Sequence, residues 1–155
     1  MTRYGMAIDL KRCFGCHACE VACKVANNLP ADLAYNRVMT VGGDSFDTAA
    51  GEFPNCTLSF LPMQCQHCET PACFAVCPTG ATQKDEKTGI VTVDGETCIG
   101  CGSCIQACPY QGVRTLIGDN PDYYLDVVVG EADAPAHKPS TVEKCTFCKN
   151  LVDRG

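Results

Sequence analysis

Apolar residues fall in short runs along this chain, and no run is long enough to span a membrane. The runs of strand-like composition predict four short strands, at residues 4–10, 57–61, 112–117 and 123–129. Residues 79–93 predict a hairpin, because the polar turn 85–89 is followed by an apolar stretch. The pattern therefore indicates small elements connected by many turns.

One helix and several loops complete the predicted elements. The helix is expected to continue from Cys23 through Asn27 and to end before Pro30. Residues 41–44 and 47–51 predict turns and loop, and residues 131–140, with Pro135 and Pro139, predict a further loop. The expected fold class is α+β, with short strands, short helices and long loops.

Cysteine changes this picture, because it supplies 15 of the 155 residues and every cysteine except Cys56 lies in one of four motifs. The first motif, C-x2-C-x2-C-x3-C, comprises Cys13, Cys16, Cys19 and Cys23. The second, C-x2-C-x4-C-x3-C-P, comprises Cys65, Cys68, Cys73 and Cys77. The third, C-x2-C-x2-C-x3-C-P, comprises Cys98, Cys101, Cys104 and Cys108. The fourth is the pair Cys145 and Cys148.

The third motif has the spacing by which bacterial ferredoxins hold a cubane [4Fe-4S] cluster. Its two-residue gaps allow a short loop to bring three thiolates around one cluster, and Gly100 and Gly102 permit the positive φ angles of such a loop. Pro109 turns the chain away after Cys108, which is consistent with Cys108 serving a neighbouring cluster. The second motif repeats this order of loop, short helix, Cys-Pro and hairpin. We therefore expect a duplicated bacterial-ferredoxin-like fold.

Two other interpretations of the cysteines are a disulfide framework and structural zinc. Disulfides require an oxidising compartment, usually reached with a signal peptide, and residues 1–9 contain no apolar segment or cleavage site of that kind. Zinc sites are built from paired C-x2-C units, whereas this chain has runs of four cysteines that end in Cys-Pro. A zinc-stabilised interaction module is therefore still an alternative. Analysis of the bound metal would distinguish it from an iron–sulfur protein.

The acidic balance of the chain argues against some functions. Asp and Glu number 18 against 12 Lys and Arg, for a net charge of −6, and clusters bound by four thiolates would add further negative charge. No basic patch in the sequence would attract nucleic acid. No acid–base or nucleophile constellation is visible either, so neither a catalytic site nor a small-molecule substrate is expected.

Residues beside the motifs are candidates for tuning cluster potentials. They are Lys24, Lys144, Lys149, His67, His17 and Arg114. An ordinary surface side chain is the alternative for each, and an ion pair with an acid is the alternative for Arg114. His137 lies among prolines and is expected to be exposed. Cys56 is expected to be a buried, inert thiol.

The four motifs in this order resemble the four-cluster electron-transfer subunits of the molybdopterin oxidoreductases, the dimethyl-sulfoxide-reductase iron–sulfur subunit family. The local strings that carry the resemblance are Cys-Pro-Thr-Gly-Ala at 77–81, Cys-Ile-Gly-Cys at 98–101, Ala-Cys-Pro-Tyr at 107–110 and Lys-Cys-Thr-Phe-Cys at 144–148. The resemblance implies an electron-transfer subunit and not an enzyme. It would relay electrons between a membrane quinol-linked subunit, or another donor, and a molybdopterin catalytic subunit. A freely diffusing ferredoxin-like carrier is the alternative.

Residue by residue, the resemblance implies four cluster sites. The second-motif site would consist of Cys65, Cys68, Cys73 and Cys108, and the third-motif site of Cys98, Cys101, Cys104 and Cys77. The first-motif site would contain Cys13, Cys16 and Cys19. The fourth-motif site would contain Cys145, Cys148 and Cys23. The last two sites each lack one ligand, so we expect a fragment that ends inside its fourth motif, with two complete [4Fe-4S] sites here and up to four in the intact protein.

These expectations define one compact iron–sulfur domain over residues 1–155. A central ferredoxin-like unit would span about 60–118, and a second unit would combine 1–34 with 141–155. Residues 35–56 and 119–140 would be loop insertions. With no signal peptide or membrane span in the sequence, association with the bacterial or archaeal cytoplasmic membrane would depend on partner subunits, including a membrane anchor. The sequence does not indicate on which side.

Overall fold

The computed structural model describes residues 3–42, 47–134 and 136–155. Its helices are α1 (Ala18–Ala26), α2 (Ala72–Ala75), α3 (Ser103–Gln106) and α4 (Lys149–Arg154). Its strands are β1 (Asn36–Thr40), β2 (Phe60–Gln64), β3 (Thr82–Lys84), β4 (Val91–Val93), β5 (Arg114–Leu116) and β6 (Val142–Lys144). In these parts of the chain, no helix combines the length and apolarity needed to cross a membrane.

The strands form three separate antiparallel pairs. β1 pairs with β2, and β3 pairs with β4, so the predicted hairpin at 79–93 is confirmed. β5 pairs with β6, and in this pair Arg114 lies directly opposite Lys144. The predicted helix is also confirmed, since α1 ends at Ala26 and Asn27 caps it.

The second and third motifs are followed by a similar order of elements. In each motif a four-residue helix carries the third cysteine, a Cys-Pro pair follows, and a strand leads away. α2 packs against α3, and β4 packs against β6. The partner strands differ, because β4 follows β3 directly whereas β6 is reached only after residues 117–141. The β5–β6 pair therefore joins the third motif to the start of the fourth.

Several expectations about the strands are wrong. Residues 4–10 and 123–129 form no strand, and the strand predicted at 57–61 begins at Phe60 instead. Its partner β1 lies inside the expected loop insertion 35–56, where the sequence predicts no strand. The physical reason is that β1 depends on hydrogen bonds to a distant strand, which local composition does not reveal.

The core consists of two small groups of buried residues, and motif cysteines belong to both. One group contains Leu29, Leu33, Tyr35, Ile117 and Cys145, with Cys23 and Cys65 packed against it. The other contains Cys73, Val91, Cys104 and Val142, with Cys98 and Ile105 packed against it. Because thiols occupy positions that aliphatic side chains fill in other proteins, the core is organised around the motifs.

Candidate iron–sulfur sites

Two glycines in left-handed conformation shape the loop of the third motif. Gly100 has φ 66° and Gly102 has φ 74°. A Cβ atom at Gly100 would collide with the carbonyl oxygen of Ser140, so the loop approaches the backbone too closely for any other residue. Gly102 begins α3, which buries Cys104. Both glycines thus adopt the positive φ angles that the sequence predicts.

In the loop of the second motif, His67 is fixed in one tautomer. The backbone N–H of Val91 donates to its Nδ1 atom over 2.9 Å, so the neutral ring carries its proton on Nε2. Burial lowers the pKa of His67 to about 3, and the charges of Lys144 and Arg114 contribute to the decrease. The ring is therefore neutral at physiological pH and presents a buried Nε2–H donor.

The motif thiols differ in exposure. Cys73, Cys104 and Cys145 are buried, so the second, third and fourth motifs each place one thiol in the core. The exposed motif thiols are Cys16, Cys19, Cys101 and Cys148. The half-buried ones are Cys13, Cys23, Cys65, Cys68, Cys77, Cys98 and Cys108. The first motif is thus the most accessible of the four-cysteine motifs.

Several motif sulfurs accept hydrogen bonds. Backbone N–H groups of Thr82, Val142 and Phe147 donate to the sulfurs of Cys77, Cys98 and Cys145 over 3.5, 3.4 and 3.3 Å, respectively. The guanidinium of Arg114 donates through Nη2 to the Cys73 sulfur over 2.9 Å. Donors of this kind favour a thiolate over a thiol, and hydrogen bonds to sulfur are one determinant of cluster potential.

The last cysteine of each four-cysteine motif lies near thiols of a different motif. The neighbours are Cys108 with Cys73 and Cys65, Cys77 with Cys101, and Cys23 with Cys145 and Cys148. Burial raises the pKa of Cys23 to about 12, and the charges of Cys145 and Cys148 contribute to the rise. These neighbours follow the exchange of fourth cysteines that the resemblance implies. The four-ligand assignments themselves stay predictions.

Thiols assigned to different sites also lie close to one another. Burial is the main cause that raises the pKa of Cys104, and the charge of Cys73 contributes. Burial likewise raises the pKa of Cys145, to which the charge of Cys65 adds. Cys73 and Cys65, both of the second motif, thus neighbour a thiol of the third motif and a thiol of the fourth motif, respectively.

Two buried N–H groups without an acceptor show whether the side chains around the motifs are compatible with bound clusters. Nε2 of His67 and Nη1 of Arg114 are buried, and neither has a hydrogen-bond partner in the described parts of the chain. A buried donor without an acceptor is costly, and both residues belong to or contact the second motif. Acceptor sulfurs of a bound cluster would remove this cost, so the residues fit a cluster. In the same parts of the chain no three His, Cys, Asp or Glu side chains are arranged to hold a single metal ion.

Two expectations about single residues are wrong. Cys56 is exposed, because it precedes β2 in a segment where Thr57 forms only an isolated bridge. The side chain of His137 is only 2% exposed. It is buried because Nδ1 contacts the Glu143 carboxylate and Nε2 contacts the Asn27 carbonyl, each over 2.8 Å.

The candidate tuning residues separate into half-buried and buried groups. Three of the half-buried residues have partners outside the motif cysteines: Lys24 donates to the carbonyls of Pro30 and Ala31, Lys149 pairs with Asp153, and His17 pairs with Glu20. His67 is also half-buried, whereas Arg114 and Lys144 are buried. Of the two alternatives for Arg114, the contact with a motif sulfur is the one observed. Sequence spacing does not signal this contact, because Arg114 is 41 residues from Cys73.

Family comparisons agree with this chemistry. Two family profiles described as "4Fe-4S dicluster domain" match residues 56–118 and 90–152, and a third, described as "4Fe-4S binding domain", matches residues 10–26. Together they cover all four cysteine motifs. The chain is therefore a protein that carries several [4Fe-4S] clusters, which decides against the disulfide and zinc interpretations.

Curated relatives identify the family. A Halobacterium salinarum protein, named as the iron-sulfur subunit of a dimethyl sulfoxide reductase, is 40% identical, over 100% of this chain and 60% of the relative. The thiosulfate reductase electron transfer subunit PhsB of Salmonella typhi is 39% identical, over 86% of this chain and 69% of the relative. The arsenate respiratory reductase iron-sulfur subunit ArrB of Shewanella sp. is 33% identical, over 99% of this chain and 74% of the relative. The chain belongs to the dimethyl-sulfoxide-reductase iron–sulfur subunit family, and it spans only part of the length of these relatives.

Proposed function

We propose that this chain is the electron-transfer subunit of a molybdopterin reductase complex. It relays single electrons between a quinol-linked membrane subunit, or another donor, and a molybdopterin catalytic subunit. The adjacency of the predicted sites carries the proposal: Cys73 lies near Cys104, and Cys65 lies near Cys145. Clusters held at these sites would form a continuous path through the protein.

The chain's own residues hold and tune the relay. When bound, each cluster supplies one-electron oxidation and reduction. Motif thiolates hold the iron, and N–H groups such as that of Val142 donate to ligand sulfurs. The buried apolar residues limit the access of water. We assign no catalytic residue, because the proposed function neither forms nor breaks a bond to a substrate.

The proposal includes an arrangement of the sites and of the chain. The second- and third-motif sites are complete, and together they form a central ferredoxin-like unit over about 60–118. Residues 1–34 and 141–155 form the second unit of a duplicated ferredoxin-like fold. The pairing of β5 with β6 holds the two units together, because β5 lies in the first unit and β6 in the second. Partner subunits hold the protein at the membrane.

Iron, acid-labile sulfide and zinc per chain test the cluster assignment. The full chain is made and purified without oxygen before analysis. About eight irons with matching sulfide are expected if the two complete sites fill, and about sixteen if all four motifs hold clusters. Zinc in place of iron would overturn the electron-transfer function.

Native purification distinguishes a subunit from a free carrier. The tagged chain, recovered from its source without oxygen, is expected to retain molybdenum or tungsten at a fixed ratio to the chain. Quantitative recovery as an iron-loaded monomer without either metal would contradict the subunit assignment and favour the diffusing carrier.

A further inference from the structure

Two positive side chains are buried opposite each other among the motif cysteines. Arg114 on β5 is 4% exposed and Lys144 on β6 is 3% exposed. The two residues are direct cross-strand neighbours in the antiparallel pair. Like charges in this position destabilise a strand pair, and burial makes unpaired charge still more costly. The arrangement therefore requires negative charge nearby.

Carboxylates do not supply that charge. Throughout residues 3–42, 47–134 and 136–155, neither cation has an Asp or Glu oxygen within 4.0 Å. Lys144 donates instead to the backbone carbonyls of Val91 and Cys145. Arg114 donates to the Cys73 sulfur, and its Nη1 atom is buried without a protein acceptor. The groups that remain to balance the two cations are the motif thiolates and what they hold.

The thiols that surround the two cations are mainly those of one site. Burial lowers the pKa of Lys144, and the thiols of Cys65, Cys145 and Cys73 oppose that decrease. Arg114 contacts Cys73, and its charge acts on Cys104 and Cys108. Three of the four cysteines in the second-motif site, namely Cys65, Cys73 and Cys108, therefore lie near a buried cation. Each cation also reaches a thiol of an adjoining site, Cys104 for Arg114 and Cys145 for Lys144.

We propose that Arg114 and Lys144 form an electrostatic bridge in the electron relay. Their two charges compensate the cluster of the second-motif site and lie against both adjoining sites. Each one-electron reduction adds one negative charge to a cluster, and a fixed positive charge stabilises that added charge more strongly the closer it lies. The bridge therefore raises the reduction potential of the second-motif cluster most, and those of the two adjoining clusters less. This inference rests on the cluster assignments of the proposed function.

Reduction potentials of charge variants test the bridge. Arg114→Gln and Lys144→Gln remove one charge each, whereas Arg114→Lys and Lys144→Arg keep it. Lys149→Gln is the matched control, because Lys149 also neighbours a motif cysteine but is partly exposed and paired with Asp153. Each full-length variant is purified without oxygen, its iron and sulfide are counted, and its clusters are titrated by EPR-monitored reduction. The signal lost in Cys68→Ser identifies the second-motif cluster.

The neutral variants are expected to shift the midpoint of the second-motif cluster downward more than any other midpoint. The charge-retaining variants and Lys149→Gln should stay close to wild type. Fully loaded neutral variants with unchanged midpoints would overturn the bridge, as would an equal shift in Lys149→Gln.

Loss of clusters in the neutral variants also has a defined meaning. Loss of the second-motif cluster in Arg114→Gln and Lys144→Gln, together with its retention in Arg114→Lys and Lys144→Arg, supports a requirement for charge. Loss in all four variants would show a requirement for side-chain shape and overturn the proposal. A wild-type chain without iron would instead refute the proposed function, so the two failures are distinguishable.

Discussion

At the scale of single residues, the cysteines occupy two different environments. Cys73 and Cys145 are buried and accept hydrogen bonds from Arg114 and from a backbone N–H group, respectively. Cys56 is exposed and lies outside every motif. Cluster ligands must be thiolates held at fixed positions, so burial and these hydrogen bonds support Cys73 and Cys145 as ligands beyond their spacing. Four other motif thiols are exposed like Cys56, and only their spacing separates them from it.

Replacing Cys108 with Ser is expected to remove the cluster of the second-motif site and to spare the cluster of the third, although Cys108 belongs to the third motif. The reason is that Cys108 lies near Cys73 and Cys65. Anaerobic iron analysis should show a loss of about four irons per chain, and EPR should show the loss of one signal.

Three further variants make this result decisive. Cys56→Ser should keep the wild-type iron content, because Cys56 has no place in a motif. The signal missing in Cys108→Ser should also be missing in Cys68→Ser. If it is instead the signal missing in Cys101→Ser, the exchange of fourth cysteines between the motifs is refuted.

At the scale of elements, the segment 119–134 is attached to the C-terminal end of α1 and not to a strand. The N–H of Glu131 donates to the Ala26 carbonyl over 3.0 Å, and the N–H of Val129 donates to Oδ1 of Asn28 over 3.1 Å. Helix ends carry carbonyls without intrahelical partners. The segment therefore satisfies part of that helix end while it keeps an irregular backbone.

Gly130→Ala is expected to release this segment from α1. Gly130 has φ +99°, and a Cβ atom there would collide with the carbonyl oxygens of Val25 and Ala26. Strain of this kind costs about 1–3 kcal/mol. Hydrogen-exchange mass spectrometry should show faster exchange in the peptide that contains Glu131. Gly118→Ala is the control, because a Cβ at Gly118 meets nothing within 4 Å; equal exchange in the two variants would contradict the attachment.

The sequence predicts those elements that depend on local information. α1, the β3–β4 hairpin and the left-handed glycines of the third motif follow from capping residues, turn composition and cysteine spacing. β1 could not be predicted, since its partner β2 begins 20 residues after β1 ends. The segment 123–129 has strand-like composition but forms no strand, and its residues Tyr124, Leu125, Val127 and Val128 are exposed.

The candidate sites show the same division between local and distant information. Spacing identifies the ligands, but not the side chains that meet them across the fold. Arg114 is 41 residues from Cys73, and Tyr35 donates to Glu143 across 108 residues. A buried Arg or Lys has no sequence signature that distinguishes it from a surface one, so the buried Arg114 and Lys144 pair becomes visible only when β5 and β6 are placed side by side.

At the scale of the whole molecule, a buried polar network connects three distant segments. His137 contacts the Glu143 carboxylate before the fourth motif and the Asn27 carbonyl after the first motif. Tyr35 donates to the same carboxylate over 2.5 Å. A carbonyl oxygen only accepts hydrogen bonds, so Nε2 of His137 carries a proton, and a carboxylate at Nδ1 favours a second one. The network thus connects distant segments of the chain through the imidazole of His137, whose protonated form the Glu143 carboxylate favours.

This network predicts how stability depends on pH. Burial alone would lower the pKa of His137, but the hydrogen bond and charge of Glu143 and the Asn27 carbonyl outweigh it, so the pKa is raised. A raised pKa stabilises the folded state fully below the unfolded value of about 6.5, and the contribution is lost as pH rises through the folded value. His137→Gln should therefore cost about 1–3 kcal/mol at pH 6, and the deficit should shrink in alkaline buffer. Anaerobic thermal unfolding between pH 6 and 9 measures this deficit in stability. Lys138→Gln is the control, because Lys138 is exposed. Parallel curves for His137→Gln and wild type would show that this imidazole does not couple folding to protons.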